Sequence, residues 1–481
     1  MDRNLSDLLL YLQHRSNRLI HYQSISLTIQ NSLFMKKSTL LFFALLCMNS
    51  ASIMAQSSSR NDGGSTSSTT SSPSGATYTL SDGSTSTVLS NQTLTCSTSD
   101  YNVVQVTKGT LGLTNCTIQK TGGDTSDSDG SSFYGINSAV YVNGSNAIIN
   151  MAGGTITTSA IGANAGFAYG SGILNISNVT ITNTANLSRG IHATGGGTIN
   201  ATNLTITTSG SNSSVCATDR GGGTVTINEG SYVTTGTDCA ILYSTGTITA
   251  TDATGSSSQG EIGVIEGDNS ITINNCDFTS GSSSRGLMIL QSGSGDSEGY
   301  NGTITINGGK ITLTDSSAPL CEIPTNITGT LTLKDVDLTV PSNNLMYVDY
   351  NTRWSTYGGT GNLVLQTDST WTVTGYVAKD SYATALNVTV GTGVTWNLTQ
   401  NTTITTLVNN GTINTNGYTL TYSSTSGSGS IITGISSINK DKTKKSDVYN
   451  IAGQLVKRNV SDIKELNHGI YIKNGKKVAV K

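Results

Sequence analysis

LNISNVTITNTANLSRGIHATGGGTINATNLTI, residues 174–206, holds one short phrase twice. Leu174, Ile176 and Ile181 are apolar, and Ile199, Ala201 and Ile206 repeat them 25 residues later. The alternation within Leu174/Ile176 is that of a strand with one buried face. Asn178 and Asn203 take the fourth place after the first apolar residue of each copy. Asparagine tolerates the left-handed backbone conformation, so it suits a tight turn between two brief strands. Between the copies, Gly190-Ile191-His192-Ala193 reads as a third short strand ending in a glycine turn.

The phrase spreads in both directions. It occurs at Leu111/Leu113/Ile118, Ile149/Met151/Ile156 and Val225/Ile227/Tyr232, then at Ile271/Ile273/Phe278, Ile304/Ile306/Ile311 and Leu331/Leu333/Leu338. Asn115 and Asn275 hold the turn place, Asp335 replaces asparagine once, and Gly153 and Gly308 stand there as residues that accept the same conformation. Ile248/Ala250 begins a further copy, but Gly255 at its third apolar place reads as a break. Leu363/Leu365 and Leu386/Val388 continue the phrase with looser spacing. Val140-Tyr141-Val142, Val215-Cys216-Ala217, Ala240-Ile241-Leu242 and Leu287-Met288-Ile289 supply further third strands.

A strand this short cannot bury its apolar face alone. Coiling the chain so that equivalent strands stack places those faces in one continuous column. The spacing therefore predicts an all-β parallel β-solenoid over residues 78–422. Roughly twelve coils about 4.8 Å apart make a rod of about 55–60 Å. A β-sandwich array is the competing architecture, and it needs no fixed three-strand register. The pattern resembles right-handed parallel β-helix proteins of the pectin-lyase-like family. That resemblance implies a right-handed coil, and a fold-level likeness carries no activity with it.

Composition agrees. Charged residues are 11% of the 481, against about 25% in ordinary domains. There are 55 Gly, 19 Tyr and only 4 Pro. A formal net charge of −3 excludes a strongly basic nucleic-acid binder. Of the 7 cysteines, none forms a CxxC pair, which leaves zinc and thioredoxin-like chemistry without support. Cys96, Cys116, Cys216, Cys239, Cys276 and Cys321 are expected as buried, stacked thiols, with a Cys96–Cys116 bridge as the alternative.

The two ends differ from the body. Residues 1–34 show neither turn signals nor a core pattern and read as an upstream extension. Met35-Lys36-Lys37, the apolar run from Leu40 to Met48 and the small residue Ala55 have the layout of a secretory signal peptide over 35–55. A buried helix is the plainer reading of the same run. Residues 56–77 are a Ser/Thr/Gly-rich linker and 423–439 (SSTSGSGSIITG at its start) a second one. From Lys440 the chain turns strongly basic while the body is acidic, a composition break that marks a domain boundary over 440–481.

In that tail, residues 447–456 (DVYNIAGQLV) read as strand, glycine turn, strand. Residues 466–472 (LNHGIYI) and 476–481 (KKVAVK) add two strands joined at Asn474-Gly475. These segments, in this order, resemble the C-terminal sorting domain (type A) of the type IX secretion system. Gln454 stands where that family usually has arginine. The resemblance implies an exported chain, with the secretion machinery as a partner. It also implies a destination at the outer membrane or outside a Gram-negative cell.

Candidate chemistry is thin. His192 and, one repeat later, Asp219-Arg220 could supply a base, a carboxylate and a charge clamp on neighbouring coils. A turn or surface role is the plainer reading of His192, and solvated loops that of Arg189 and Arg285. Gly122–Ser132 carries Asp124, Asp127 and Asp129, a weak calcium candidate, although Thr125 and Ile136 stand where an EF-hand loop needs ligands. Glu261, Glu266 and Asp268, and then Asp296, Glu298 and Tyr300, read as solvated insertions. Tyr347, Tyr350, Trp354 and Tyr357, with Asp349 and Arg353, offer flat rings beside polar groups, as a sugar site does. No cofactor beyond calcium is suggested. The sequence therefore points to a non-catalytic adhesin-like or glycan-binding surface protein. A polysaccharide lyase or glycoside hydrolase is the alternative, and a purely structural surface-layer component a third.

Overall fold

The computed structural model describes residues 72–433, apart from 86, 353 and 356, and residues 446–480, apart from 461, 462, 464, 465 and 474. The upstream extension, the signal-peptide segment and all of the first linker before residue 72 lie outside them. The described chain is a parallel β-solenoid followed by a small antiparallel sheet.

Each coil contributes a short strand to one stack and a longer, bent segment to another. The short strands form a 12-stranded parallel sheet that begins with Gly75–Leu80 and ends with Tyr376–Lys379. The longer segments form a 20-stranded sheet. In Gly109–Lys120, Ala147–Thr158, Gly197–Thr208 and Gly223–Thr234 the segment is one bent strand, and elsewhere it splits in two, as in Ile173–Ser177 and Thr180–Asn183.

The bend is the turn place of the repeat. Asn115, Asn178, Asn203, Asn275 and Asp335 have φ of 51, 55, 51, 52 and 54°. Gly153 and Gly308 do the same at 68 and 64°. Asn91, Glu229 and Asp252 hold the same place with φ of 53, 59 and 53°. Asparagine side chains also bond along the stack: Asn203 Nδ2 donates to Asn178 Oδ1 at 2.8 Å, and Asn200 to Asn175 and Asn175 to Asn150 at the same distance.

Equivalent apolar residues lie directly over one another. Ile149, Leu174, Ile199, Val225, Ile248, Ile271, Ile304, Leu331 and Leu363 are successive register partners. They are fully buried in one continuous core. Two expectations need correction here. Gly255 does not break the column: it sits in register between Tyr232 and Phe278, where its missing side chain leaves room for the Phe278 ring. Leu386 pairs with Gly361, and it is Val388 that continues from Leu363. The looser spacing was a slip of two places.

The far end of the rod is simpler. Trp371–Thr374 leaves the second-strand stack and opens a separate 4-stranded sheet with Val394–Asn397, Thr412–Asn414 and Ser430–Ile432. Leu420–Ser426 pairs onto Thr402–Asn409. Solenoid strands thus continue to Ile432, inside the stretch that composition marked as a linker. Ser, Thr and Gly there serve an exposed edge coil.

Within the tail, Leu455–Val460, Ser446–Asn450, Gly469–Lys473 and Lys476–Val480 form an antiparallel sheet in that spatial order. Val448, Val460 and Leu466 make its core. Gly453 and Gly475 take the turn positions with φ of 81 and 69°. The strands occur along the chain in the order expected from the sequence, and in space Ser446–Asn450 lies between Leu455–Val460 and Gly469–Lys473.

A roofed polar layer and two clefts

The middle strands of the 12-stranded sheet are buried on both faces. Its inward side chains join the solenoid core. Its other face carries a register column running Tyr141, Phe167, His192, Ala217, Tyr243, Val264, Met288, Glu322. All eight are buried. Insertions between coils cover this face. The helix Ser128–Tyr134, capped by Asp127 Oδ1 accepting from Gly130 N at 2.9 Å, lies over the early coils. There Thr194 Oγ1 donates to Phe133 O at 2.7 Å, and Arg189 Nη1 to Ser132 Oγ at 3.2 Å. The loop at 291–299 covers the next coils, with Ser292 and Ser294 donating to Glu266 Oε1. Trp354 packs on the cluster containing Tyr243, Val264, Met288 and Leu290. Arg220 clips the first two covers together: its guanidinium lies 3.8 Å from the centre of the Phe133 ring and 2.6 Å from Asp296 Oδ1.

Several ionisable side chains expected at the surface are under this roof. His192 is neither a turn nor a surface residue. It is fully buried in Ile191–Thr194, its ring 4.8 Å from that of Phe167, and neither ring nitrogen has a hydrogen-bond partner. Burial, reinforced by Arg189, holds its pKa well below the ordinary imidazole value, so it stays neutral. Arg189 is buried as well and faces Asp219 at 4.0 Å. Burial lifts Asp219 to about 7 although Arg189 opposes it. Arg285 is likewise buried rather than solvated, bonded to Glu322 and 4.0 Å from Glu261. Burial pushes Glu261 up to about 7. Burial and the neighbouring Glu322 push Asp349 up to about 8. Glu261, Glu266 and Asp296 are buried too, so of the acidic groups expected in solvated insertions only Asp268 and Glu298 are exposed.

The three catalytic candidates do not converge. Register sets His192 opposite Ala217, and Thr194 opposite Asp219. Asp219 accepts from the Arg220 backbone N–H at 2.9 Å, while the Arg220 side chain leaves for Asp296. The calcium candidates are spent on local structure. Asp124 accepts from Ile161 N at 2.8 Å, Asp127 caps the helix, and Asp129 sits in its first turn. Among the described residues no three or more His, Cys, Asp or Glu side chains gather as they would around a metal ion. The six described cysteines are free and buried, so no Cys96–Cys116 bridge is present.

The aromatic candidates separate. Tyr350 packs at a tilt of 40° against Tyr382 with centroids 5.0 Å apart, Tyr347 is half-buried beside Glu322, and Tyr357 is exposed. Arg353 lies outside the described residues. Trp354 lines an open cleft of about 380 Å³ with Gln291, Tyr300, Asn326, Thr352 and Ser355. Tyr300, 54% exposed, is the partner ring that sequence reading assigned to an acidic loop. A second cleft of about 610 Å³ runs past Arg220, Asp268, Asn269, Asp296 and Glu298.

One signal for the roof was present in the sequence. Runs such as Leu287-Met288-Ile289-Leu290 are apolar at both parities, which marks a strand buried on both faces. No family model, curated protein or solved structure matches this chain.

Proposed function

We propose that this chain is an exported cell-surface or secreted β-helix protein that binds glycans without cleaving them. The observation that carries the reading is the Trp354–Tyr300 cleft. Two rings stand beside amide and hydroxyl groups from Gln291, Asn326, Thr352 and Ser355. Apolar sugar faces stack on rings, and sugar hydroxyls take hydrogen bonds from such neighbours. The burial of His192, Asp219 and Arg189 supports the non-catalytic part, because those groups face the roof. Export rests on the tail, whose strand–turn–strand order resembles the type IX sorting domain.

The enzymatic alternative is favoured by one feature, the second cleft, where exposed Asp268 and Glu298 flank the Arg220–Asp296 pair. A glycan array probed with the purified chain separates the two readings. Binding is expected, and Trp354→Ala should weaken it about tenfold, the loss of about 1.4 kcal/mol of stacking. No binding across a broad panel, or binding indifferent to Trp354→Ala, removes the proposal. Release of reducing or unsaturated sugars by the unmodified chain replaces it with the enzymatic reading.

A further inference from the structure

Cys96 and Lys120 are register partners at the ends of Thr93–Cys96 and Gly109–Lys120, in the first two coils. Lys120 is fully buried and Cys96 is 7% exposed. A buried lysine is rare unless paired. Lys120 Nζ donates to the Thr98 carbonyl oxygen and lies 3.8 Å from Cys96 Sγ. Burial shifts the amine toward its neutral form, against the pull of Cys96, Asp100 and Asp124. The thiol's other near neighbours are the Thr98 and Tyr101 carbonyl oxygens, which cannot react with it.

We propose that Cys96 and Lys120 join through a single oxygen atom, as an N–O–S cross-link, when the protein meets dioxygen. The gap between sulfur and nitrogen is about one atom wide. An inserted oxygen bridges most of that separation, so the cross-link asks less movement of the two side chains than a direct S–N bond does. The overall change is Lys–NH2 + HS–Cys + O2 → Lys–NH–O–S–Cys + H2O. An N–O and an O–S bond form, while the O–O, one N–H and the S–H bond break. Sulfur and nitrogen each give up two electrons, the two oxygens take four, and the two released hydrogens leave in the water.

The remaining described cysteines supply an internal control. Cys116, Cys239 and Cys276 donate to backbone carbonyls, and Cys216 and Cys321 are sealed in the apolar core. None has a lysine amine within hydrogen-bonding distance. Oxidation should therefore stop at one cross-link, fastening the edge coil to the next. It does not depend on glycan binding or on the export route.

The test uses the full chain purified in air and under strict anaerobiosis. Both samples are unfolded, alkylated, digested and analysed by mass spectrometry. In air, the Cys96 and Lys120 peptides should be recovered joined, at their summed mass plus one oxygen and less two hydrogens. The anaerobic sample, dithiol treatment, Cys96→Ser and Lys120→Gln should each abolish that species. Complete alkylation of Cys96 in the air-exposed protein overturns the proposal. So does a joined peptide without the oxygen, which is a direct S–N bond.

Discussion

At residue scale, the same side chain type means different things on the two kinds of strand. Asparagine at the bend was legible because few residues accept a φ near +50° and its amide can also bond its neighbour along the rod. Asp252 shares that tolerance and accepts from Asn275 Nδ2 at 2.6 Å, whereas Glu229 occupies the bend without it, since register with the coils on either side forces the conformation. The buried charges were not legible at all. A residue's letter does not reveal a roof built from chain far away, such as Asp296 brought to Arg220.

Those charges predict a pH dependence. Asp219, Glu261 and Asp349 are raised to about 7, about 7 and about 8. The same groups titrate near about 4 in the unfolded chain. The folded state therefore binds their protons more tightly. Their contribution is fully present below about pH 4 and is lost as pH rises through about 7 to 8. His192, held neutral by burial, acts the opposite way: its contribution is present above the ordinary imidazole value and lost as pH falls. Three carboxyls outweigh one imidazole. The apparent Tm should fall between about pH 4 and about pH 8, and Glu261→Gln should make that fall shallower. A Tm that rises over the same interval contradicts the buried network.

At element scale, the coil is defined by stacking, and single strands carry little identity. Gly255 looked like an interruption because its own coil lacks an apolar side chain there. Between Tyr232 and Phe278 the absence is what the column requires, for a Cβ on Gly255 would lie 2.6 Å from the Tyr232 carbonyl oxygen and 3.1 Å from the Phe278 ring. Gly255→Leu should overpack this level and cost about 1–3 kcal/mol. Urea unfolding followed by circular dichroism measures it, and a neutral result would mean that the Phe278 ring and the neighbouring backbone have space to yield. The two-faced burial of the short strands follows the same logic. A strand such as Leu287–Leu290 shows both faces apolar, while Ile191–Thr194 carries His192 and Thr194 on its outer face, and the roof supplies the partner of Thr194.

At the scale of the molecule, the solenoid and the small basic sheet are separate in character. The sheet carries 4 strands and a core of three residues. If it is the sorting signal that its order of segments resembles, deleting 440–481 should leave the protein in the periplasm of the producing cell. Fractionation and immunoblotting read the outcome. Unchanged surface display of the truncated chain would dismiss that role for the tail.

The solenoid itself, its repeat and its bends were written in local chemistry: side-chain alternation, chain length per coil and residues that accept a left-handed backbone. These act over a few positions, so one sequence suffices to read them. Which outer face is covered, which charges are dried, and which two rings share a cleft were decided only when insertions from different coils met in space. Trp354 and Tyr300 come from different coils, and only the packing of their loops brings them together. Such contacts depend on how non-neighbouring segments pack, and no local periodicity encodes that.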